Sequence, residues 1–266
     1  MWLNVIIILA GVYVLLCLLF YFCQHFFFFR PEVLPTHFKY EYAFPFEERT
    51  FDTPDGGTIN AIHFTVPNRQ GVVFYLKGNS RSIKGWGKFA KDFLGKGYDF
   101  FMMDYRGFGK SRGHRSETVL YSDAGQIYDW LKTKYREHEI ILYGRSFGSG
   151  IAAQLASHNQ PRMLILDSPY YSFTYQIRRF AGFLPLRWIL KYHIPTFRFL
   201  SETKCPIYIL HGNKDYLISF DQSNMLREAS PDKVTLIPIQ GGWHNNLPQL
   251  AQYHEALYRI LNPVKG

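Results

Sequence analysis

An α/β fold with a mostly parallel sheet and helices on both faces is the class this sequence predicts, behind an N-terminal apolar helix. Three observations carry that expectation. After residue 43, short β-rich runs alternate with stretches of helical periodicity, as in a chain of successive β–α units. Of 266 residues, 47% are hydrophobic and 19% charged, which excludes a disordered chain and leaves enough apolar side chain for a sizeable core. Only three cysteines occur, with no CxxC pair and no Cys/His cluster, so neither disulfides nor a structural zinc hold the fold.

The first element is the apolar run Val5 to Cys23, and no Lys, Arg, Asp or Glu occurs before Arg30. A hydrocarbon layer of roughly 30 Å needs about 20 helical residues, so the run is long enough to cross one. Trp2 at one end and Phe26–Phe29 with Arg30 at the other are placed as interfacial anchors. A cleaved signal peptide would need a basic start, a shorter apolar stretch and a small-residue cleavage site, none of which is present. A soluble core helix would show a polar face. Residues 1–29 are therefore expected to be an uncleaved membrane anchor. Arg30, Lys39 and Arg49 after it favour a cytoplasmic domain.

Residues 30–43, with Pro31 and Pro35, read as a linker, and the domain is expected to occupy 44–266. Phe44–Phe51 and Thr58–Val66 alternate around Pro54-Asp55-Gly56-Gly57, as a hairpin does. Val72–Leu76 reads as a strand, Trp86–Leu94 as a helix stopped by Gly95 and Gly97, and Tyr98–Met103 as a strand. Leu120, Ala124, Ile127 and Leu131 recur at helical spacing. Ile140–Tyr143, Met163–Leu166, Ile207–Leu210 and Val234–Ile239 read as strands. Helices are expected at about 147–157, 222–229 and 249–261. The aromatic-rich stretch 170–203 breaks this rhythm between two strands and reads as an inserted cap.

The chemistry centres on Gly144-Arg145-Ser146-Phe147-Gly148, a G-x-S-x-G between a strand and a helix. A sharp strand-to-helix turn strains the backbone at Ser146, presents its hydroxyl outward, and needs glycines where side chains would clash. The helix start places backbone N–H groups where an oxyanion would form. Two phosphate-binding look-alikes fail on spacing. Gly148-Ser149-Gly150-Ile151-Ala152-Ala153 starts too late after its strand for a dinucleotide turn, and Gly109-Lys110-Ser111 lacks the earlier glycine of a P-loop.

A serine nucleophile needs a base, and the base an orienting acid, in the chain order Ser, acid, His. Asp215, in the loop after Ile207–Leu210, is the candidate acid, with Asp167 and Asp221 as rivals. His244, in the glycine-rich loop after Val234–Ile239, is the candidate base. The other histidines, His211 included, read as surface or packing residues. The oxyanion donors are expected to be the backbone N–H groups of Phe147 and of Asn79, with Ser80 as alternative, in the loop Lys77-Gly78-Asn79-Ser80. No cofactor or metal is expected, as HExxH is absent. The net charge of +9 is scattered over the chain after the anchor; it suits an anionic lipid surface, and no nucleic-acid module accompanies it.

The segments YLKGNS (75–80), MDYRGFGKS (103–111), YGRSFGSG (143–150), LDSPYYS (166–172), CPIYILHGNKD (205–215) and GGWHNN (241–246) together resemble the α/β-hydrolase superfamily. More narrowly, they resemble its membrane-anchored branch grouped with serine-aminopeptidase-like and lysophospholipase-like hydrolases. The resemblance covers about residues 40–262. It implies Ser146 as nucleophile, Asp215 as acid, His244 as base and Asn79 in the oxyanion loop, with Asp104 and Arg106 shaping the site. Lys77 stands where the family has histidine. The expected function is a membrane-tethered serine hydrolase cleaving carboxylic esters of a small-molecule or lipid acyl substrate. An aminopeptidase-like or thioesterase activity uses the same triad, the former requiring a carboxylate such as Glu202 or Asp221 for the substrate amine. A non-catalytic membrane-linked binding domain is the remaining alternative.

Overall fold

The computed structural model describes residues 1–262; the last four residues of the domain expected to end at 266 lie outside the described residues. The chain opens with helix α1 (Trp2–Phe28), long and apolar enough to cross a membrane. An eight-stranded sheet follows: β1 (Phe46–Asp52), β2 (Thr58–Phe64), β3 (Val72–Leu76), β4 (Asp99–Met103), β5 (Ile140–Arg145), β6 (Met163–Asp167), β7 (Ile207–Gly212) and β8 (Val234–Ile239). Their order across the sheet is β1-β2-β4-β3-β5-β6-β7-β8. The β1–β2 hairpin and the β2–β4 pair are antiparallel, and every later pair is parallel.

The inner strands carry apolar side chains on both faces, as strands between two helical layers must. Phe74, Leu142 and Leu166 face one core, while Tyr75, Tyr143 and Ile165 face the other. The first face is covered by α4 (Glu117–Lys132) through Leu120, Ala124, Ile127 and Leu131, and by α5 (Phe147–His158) through Ile151 and Leu155. Helix α9 (Asp221–Ala229) adds Leu226 there. The opposite face is covered by the short helices α2 (Ile83–Trp86) and α3 (Lys91–Leu94), and by α10 (Ala251–Leu261) through Tyr253, Leu257 and Ile260. Ser116 caps α4, its hydroxyl accepting from the Val119 N–H.

The helix expected over Trp86–Leu94 is broken. A 3₁₀ turn over Gly87–Ala90 separates α2 from α3. Glycine is a poor helix former, and a Cβ at Gly87 would stand 2.4 Å from the Tyr42 ring. The chain therefore tightens there to let that ring approach.

Residues 170–203 form α6 (Phe173–Ala181), α7 (Leu186–Ile189) and α8 (Thr196–Glu202) between β6 and β7. The return from α7 is tied to α4, because the His193 and Ile194 N–H groups donate to the Glu117 carboxylate. Residues 30–43 run along the domain surface. The Leu34 N–H donates to Gly109, and Leu34 and Tyr40 are buried. The end of α1 divides its phenylalanines: Phe26 and Phe27 are exposed, whereas Phe28 and Phe29 are core residues.

Arg106 fastens the loop after β4. Its guanidinium grips Asp123 of α4 with two bonds, of 2.9 and 2.7 Å, and reaches Asp55 of the hairpin turn at 2.6 Å. This planar, two-pronged geometry is specific to arginine. Replacing Arg106 by Met strands the buried Asp123 carboxylate and is expected to destabilise the chain by about 3–5 kcal/mol. Denaturant unfolding of the two proteins measures this; an unchanged midpoint would show that the ion pair is dispensable.

Candidate active site

The sheet fixes where the chemistry can gather. Strand β3 lies between β4 and β5, so the loops leaving β3 and β5 diverge at the carboxyl edge and leave a crevice. Leu76 pairs with Gly144, which brings the loop 77–80 beside the turn at Ser146. Neighbours β7 and β8 bring together the loops carrying Asp215 and His244.

Ser146 sits between β5 and α5 at φ 51°, ψ −119°, a strained region for a residue with a side chain. Its N–H donates to the Asp167 carbonyl at 2.9 Å, which helps hold it there. A Cβ at Gly144 would meet the Gly148 carbonyl at 2.6 Å, and one at Gly148 would meet the Leu76 carbonyl at 2.1 Å. Both glycines are required by close backbone approach.

The structure brings Ser146, His244 and Asp215 into one line. Ser146 Oγ lies 2.9 Å from His244 Nε2, and His244 Nδ1 lies 2.8 Å from Asp215 Oδ2. A carboxylate only accepts, so the Nδ1 position carries the proton and Nε2 is left to accept from the serine hydroxyl. The other oxygen of Asp215 is held as firmly: Oδ1 accepts from the Leu217 and Ile218 N–H groups, each at 2.9 Å. Burial works to raise the pKa of Asp215. The bonds from His211 and His244 and from the backbone outweigh burial, and hold the carboxyl well below the usual carboxylate range. The two loops are stitched by Lys214 N–H to the Gly242 carbonyl at 2.9 Å and Gly241 N–H to Asn213 Oδ1 at 2.8 Å.

Of the rival acids, Asp167 is committed to the Tyr143 hydroxyl and the Arg145 guanidinium, and Asp221 is exposed at the start of α9. Among the oxyanion candidates, Asn79 and Phe147 both line the pocket at Ser146, whereas Ser80 does not. Neither of their backbone N–H groups has an acceptor among the described residues. Phe147 is at the first position of α5, where no carbonyl a turn back is available.

Three contributors escaped the sequence reading. His211 is buried, with Nδ1 2.6 Å from Ser223 Oγ and Nε2 shared between the Ile218 carbonyl at 3.0 Å and Asp215 Oδ2 at 3.3 Å, so it packs behind the carboxylate. Its only signal was its place four residues before Asp215. Arg145, at the first variable position of the G-x-S-x-G, lies over Trp86 and Phe89 and donates to the His244 carbonyl at 3.1 Å. Phe20, Phe27 and Phe28 of α1 line the pocket. That pocket, of about 360 Å³, is otherwise walled mainly by apolar residues, including Tyr170, Phe173, Ile177, Phe180 and Ile218, with Gln176 as a polar member.

Lys77, at the start of the loop that carries Asn79, ties that loop down with its side chain. Its ammonium is fully buried, 3.4 Å from Asp104 Oδ1, 3.2 Å from the Arg81 carbonyl and 3.9 Å over the Phe108 ring. Asp104 also accepts from the Ile83 N–H. Burial pushes the lysine down and the carboxyl up, while their mutual attraction opposes both shifts. The pair clamps both ends of the loop holding Asn79, and Tyr105 adds a bond to the Lys77 carbonyl at 2.7 Å.

Asp104→Asn alone strands a buried ammonium and is expected to cost about 3–5 kcal/mol. Adding Lys77→Met removes that charge, while the amide oxygen introduced by Asp104→Asn still accepts from the Ile83 N–H. The double variant should therefore recover about 2 kcal/mol relative to the sum of the single changes. A double-mutant cycle in denaturant checks this, and strict additivity would show that the two groups do not act as a pair.

A known family description, "Serine aminopeptidase, S33", matches residues 67–205. Among curated proteins, the chain is similar to Alpha/beta hydrolase domain-containing protein 17C of Xenopus tropicalis, 30% identical over 203 residues, which is 74% of this chain and 63% of that one. It is also similar to the Mus musculus protein of the same name, at 29% over 203 residues, covering 61% of its length. The chain thus spans less than two thirds of the length of these relatives in the matched region. Among solved structures, it shares its fold with the Pyrococcus furiosus esterase Pf2001, at TM-score 0.71 and 18% identity, covering 90% of this chain and 98% of that one. An alpha-beta hydrolase from Vibrio vulnificus matches at TM-score 0.67 and 21% identity, over 80% of each chain. With the elbow, sheet order and matched segment in agreement, the chain belongs to the serine aminopeptidase S33 family of the α/β-hydrolase superfamily.

Proposed function

We propose that this protein is a membrane-tethered serine hydrolase that cleaves a carboxylic ester of a lipophilic acyl substrate. The observation that carries the reading is the hydrogen-bonded line Ser146–His244–Asp215 opening onto a pocket whose walls are almost all apolar. Ser146 Oγ attacks the acyl carbonyl while His244 Nε2 takes its proton. Asp215 holds the ring and stabilises its charged form. The carbonyl oxygen, now negative, receives the Phe147 and Asn79 N–H groups. The collapsing intermediate expels the alkoxide, which takes the proton from His244. Water repeats the sequence on the acyl-enzyme. An acyl chain in the pocket gains about 0.8 kcal/mol for each methylene removed from water.

The aminopeptidase reading receives less support. Such an enzyme needs a carboxylate to hold the substrate's free amine, and no carboxylate lines the pocket. Glu202 is paired with Arg198, and Asp221 lies outside the pocket. A thioester of the same acyl group would fit the same walls. For α1, length, mean hydropathy and the exposure of its apolar side chains support a membrane span. The basic residues after it support a cytoplasmic domain.

Ser146→Ala is expected to lower kcat for p-nitrophenyl esters by a factor on the order of 10⁶ and to abolish fluorophosphonate labelling. Undiminished turnover by that variant would refute the assignment. A panel of esters, thioesters and aminoacyl amides then identifies the bond, with long-chain esters expected to be preferred. The full chain is expected to remain in the membrane pellet after alkaline carbonate extraction; release into the supernatant would refute the span.

A further inference from the structure

The cap is fastened to α1 at two widely separated levels. Near the helix end, Gln24 Nε2 donates to the Ile189 carbonyl at 2.9 Å, and the Lys191 N–H donates to Gln24 Oε1 at 2.8 Å. Farther toward the N-terminus, the Tyr13 hydroxyl donates to the Phe183 carbonyl at 3.0 Å. Tyr13 and Gln24 are eleven residues apart, or about 16 Å along the helix axis. The cap thus climbs the outside of α1 to the middle of its apolar run.

This has a consequence for any bilayer that α1 crosses. The part of α1 beyond Tyr13, Trp2 to Val12, is only about 16 Å long, half of a hydrocarbon layer of about 30 Å. The helix can span only if the stretch beside the cap is also within the membrane. The side chains at the cap tip suit that placement: Phe180, Phe183 and Trp188 are 61%, 66% and 77% exposed. Arg187, within the tip, is also exposed, and it and the flanking cations reach back to headgroups. Lys191 Nζ lies over Tyr21 near the end of the apolar run, and Arg179 points toward the domain, donating to the Leu217 carbonyl.

The same two elements bound the pocket at Ser146. Phe20 and Phe27 of α1 and Phe180 and Ala181 of the cap line it, and Phe27 and Phe180, both exposed, mark its opening. The loop of the oxyanion candidate Asn79 is also pinned to the end of α1. Asn79 Nδ2 donates to the Phe28 carbonyl, and the Arg30 N–H to the Asn79 carbonyl at 3.0 Å.

We propose that the cap tip, residues 180–188, is seated in the leaflet that α1 leaves, and that the pocket takes the acyl chain of a membrane-resident ester directly from that leaflet. The first half of this inference rests on the span proposed above for α1, and the second on the hydrolase reading as well. α1 then serves as a wall of the acyl site as well as a tether.

The test uses the full chain in phosphatidylcholine vesicles. A nitroxide attached through Phe183→Cys, in a background free of other cysteines, is expected to collide with oxygen far more than with a water-soluble nickel complex. The same label at Glu228→Cys on α9 should show the reverse. A label at 183 that is as open to nickel as the one at 228 overturns the seating. The paired change Phe183→Glu, Trp188→Glu places charge in the leaflet. It is expected to slow turnover of a long-chain ester dissolved in the vesicles by about tenfold or more, with a short water-soluble ester cleaved at the unsubstituted rate. Equal rates on the long ester overturn the supply route, as does an equal loss on both esters. If the unsubstituted chain neither takes fluorophosphonate nor cleaves the short ester, the hydrolase reading falls and the supply route with it, while the nitroxide depth still decides the seating.

Discussion

The close approach of α5 to the ends of β3 and β5 is the constraint on which this site depends. It brings the backbone of residue 148 against the Leu76 carbonyl and residue 144 against the backbone of α5, at distances no side chain tolerates. Only with that contact can the chain turn sharply enough to hold Ser146 at a positive φ, with its hydroxyl clear of the sheet. The turn also leaves the Phe147 N–H without an internal partner. The strain at one residue and the free donor at the next are two results of one packing event.

Around this rigid turn, the loops are held by buried charges rather than by apolar contact alone. Lys77 meets Asp104, Arg106 meets Asp123, and Arg145 meets Asp167. The first two pairs tie loops at the carboxyl edge of the sheet to their neighbours, and the third joins the ends of β5 and β6. Such pairs contribute little net stability, but either partner left alone is costly, so they penalise alternative loop positions. Lys77 fixes its own loop in this way. Its ammonium spans from Asp104 to the Arg81 carbonyl, closing the loop that presents Asn79.

The N-terminal helix is less separate from the domain than its composition suggests. Phe28 packs edge-to-face with Phe173 at 5.0 Å, and Phe29 with Phe147 at 5.1 Å, one residue from Ser146. A perturbation of the helix end therefore reaches the elbow and the Asn79 loop through direct contacts. A tether joined by a loose linker would have no such connection. Residues 30–43 instead lie against the domain, with Leu34 and Tyr40 buried.

Local pattern determined much of this protein. Periods of two and of 3.6 mark where strands and helices form, because burial on a sheet or against it selects those spacings. Hence the alternation after residue 43, the long apolar helix and the turn around Ser146 were legible in the chain. So were Asp215 and His244 as candidates, since each follows a readable strand. What the sequence could not supply was contact between distant residues. His211 looks like any strand-end histidine until folding sets it 3.3 Å from Asp215. Arg145 occupies a motif position open to any residue, and only the β5–β6 register and the loop after β8 give it partners. The break at Gly87 depends on a tyrosine 45 residues away, and the pocket wall of Phe20, Phe27 and Phe28 on how α1 leans against the cap. Secondary structure follows from neighbours along the chain. A pocket follows from neighbours across it, and only tertiary packing chooses those.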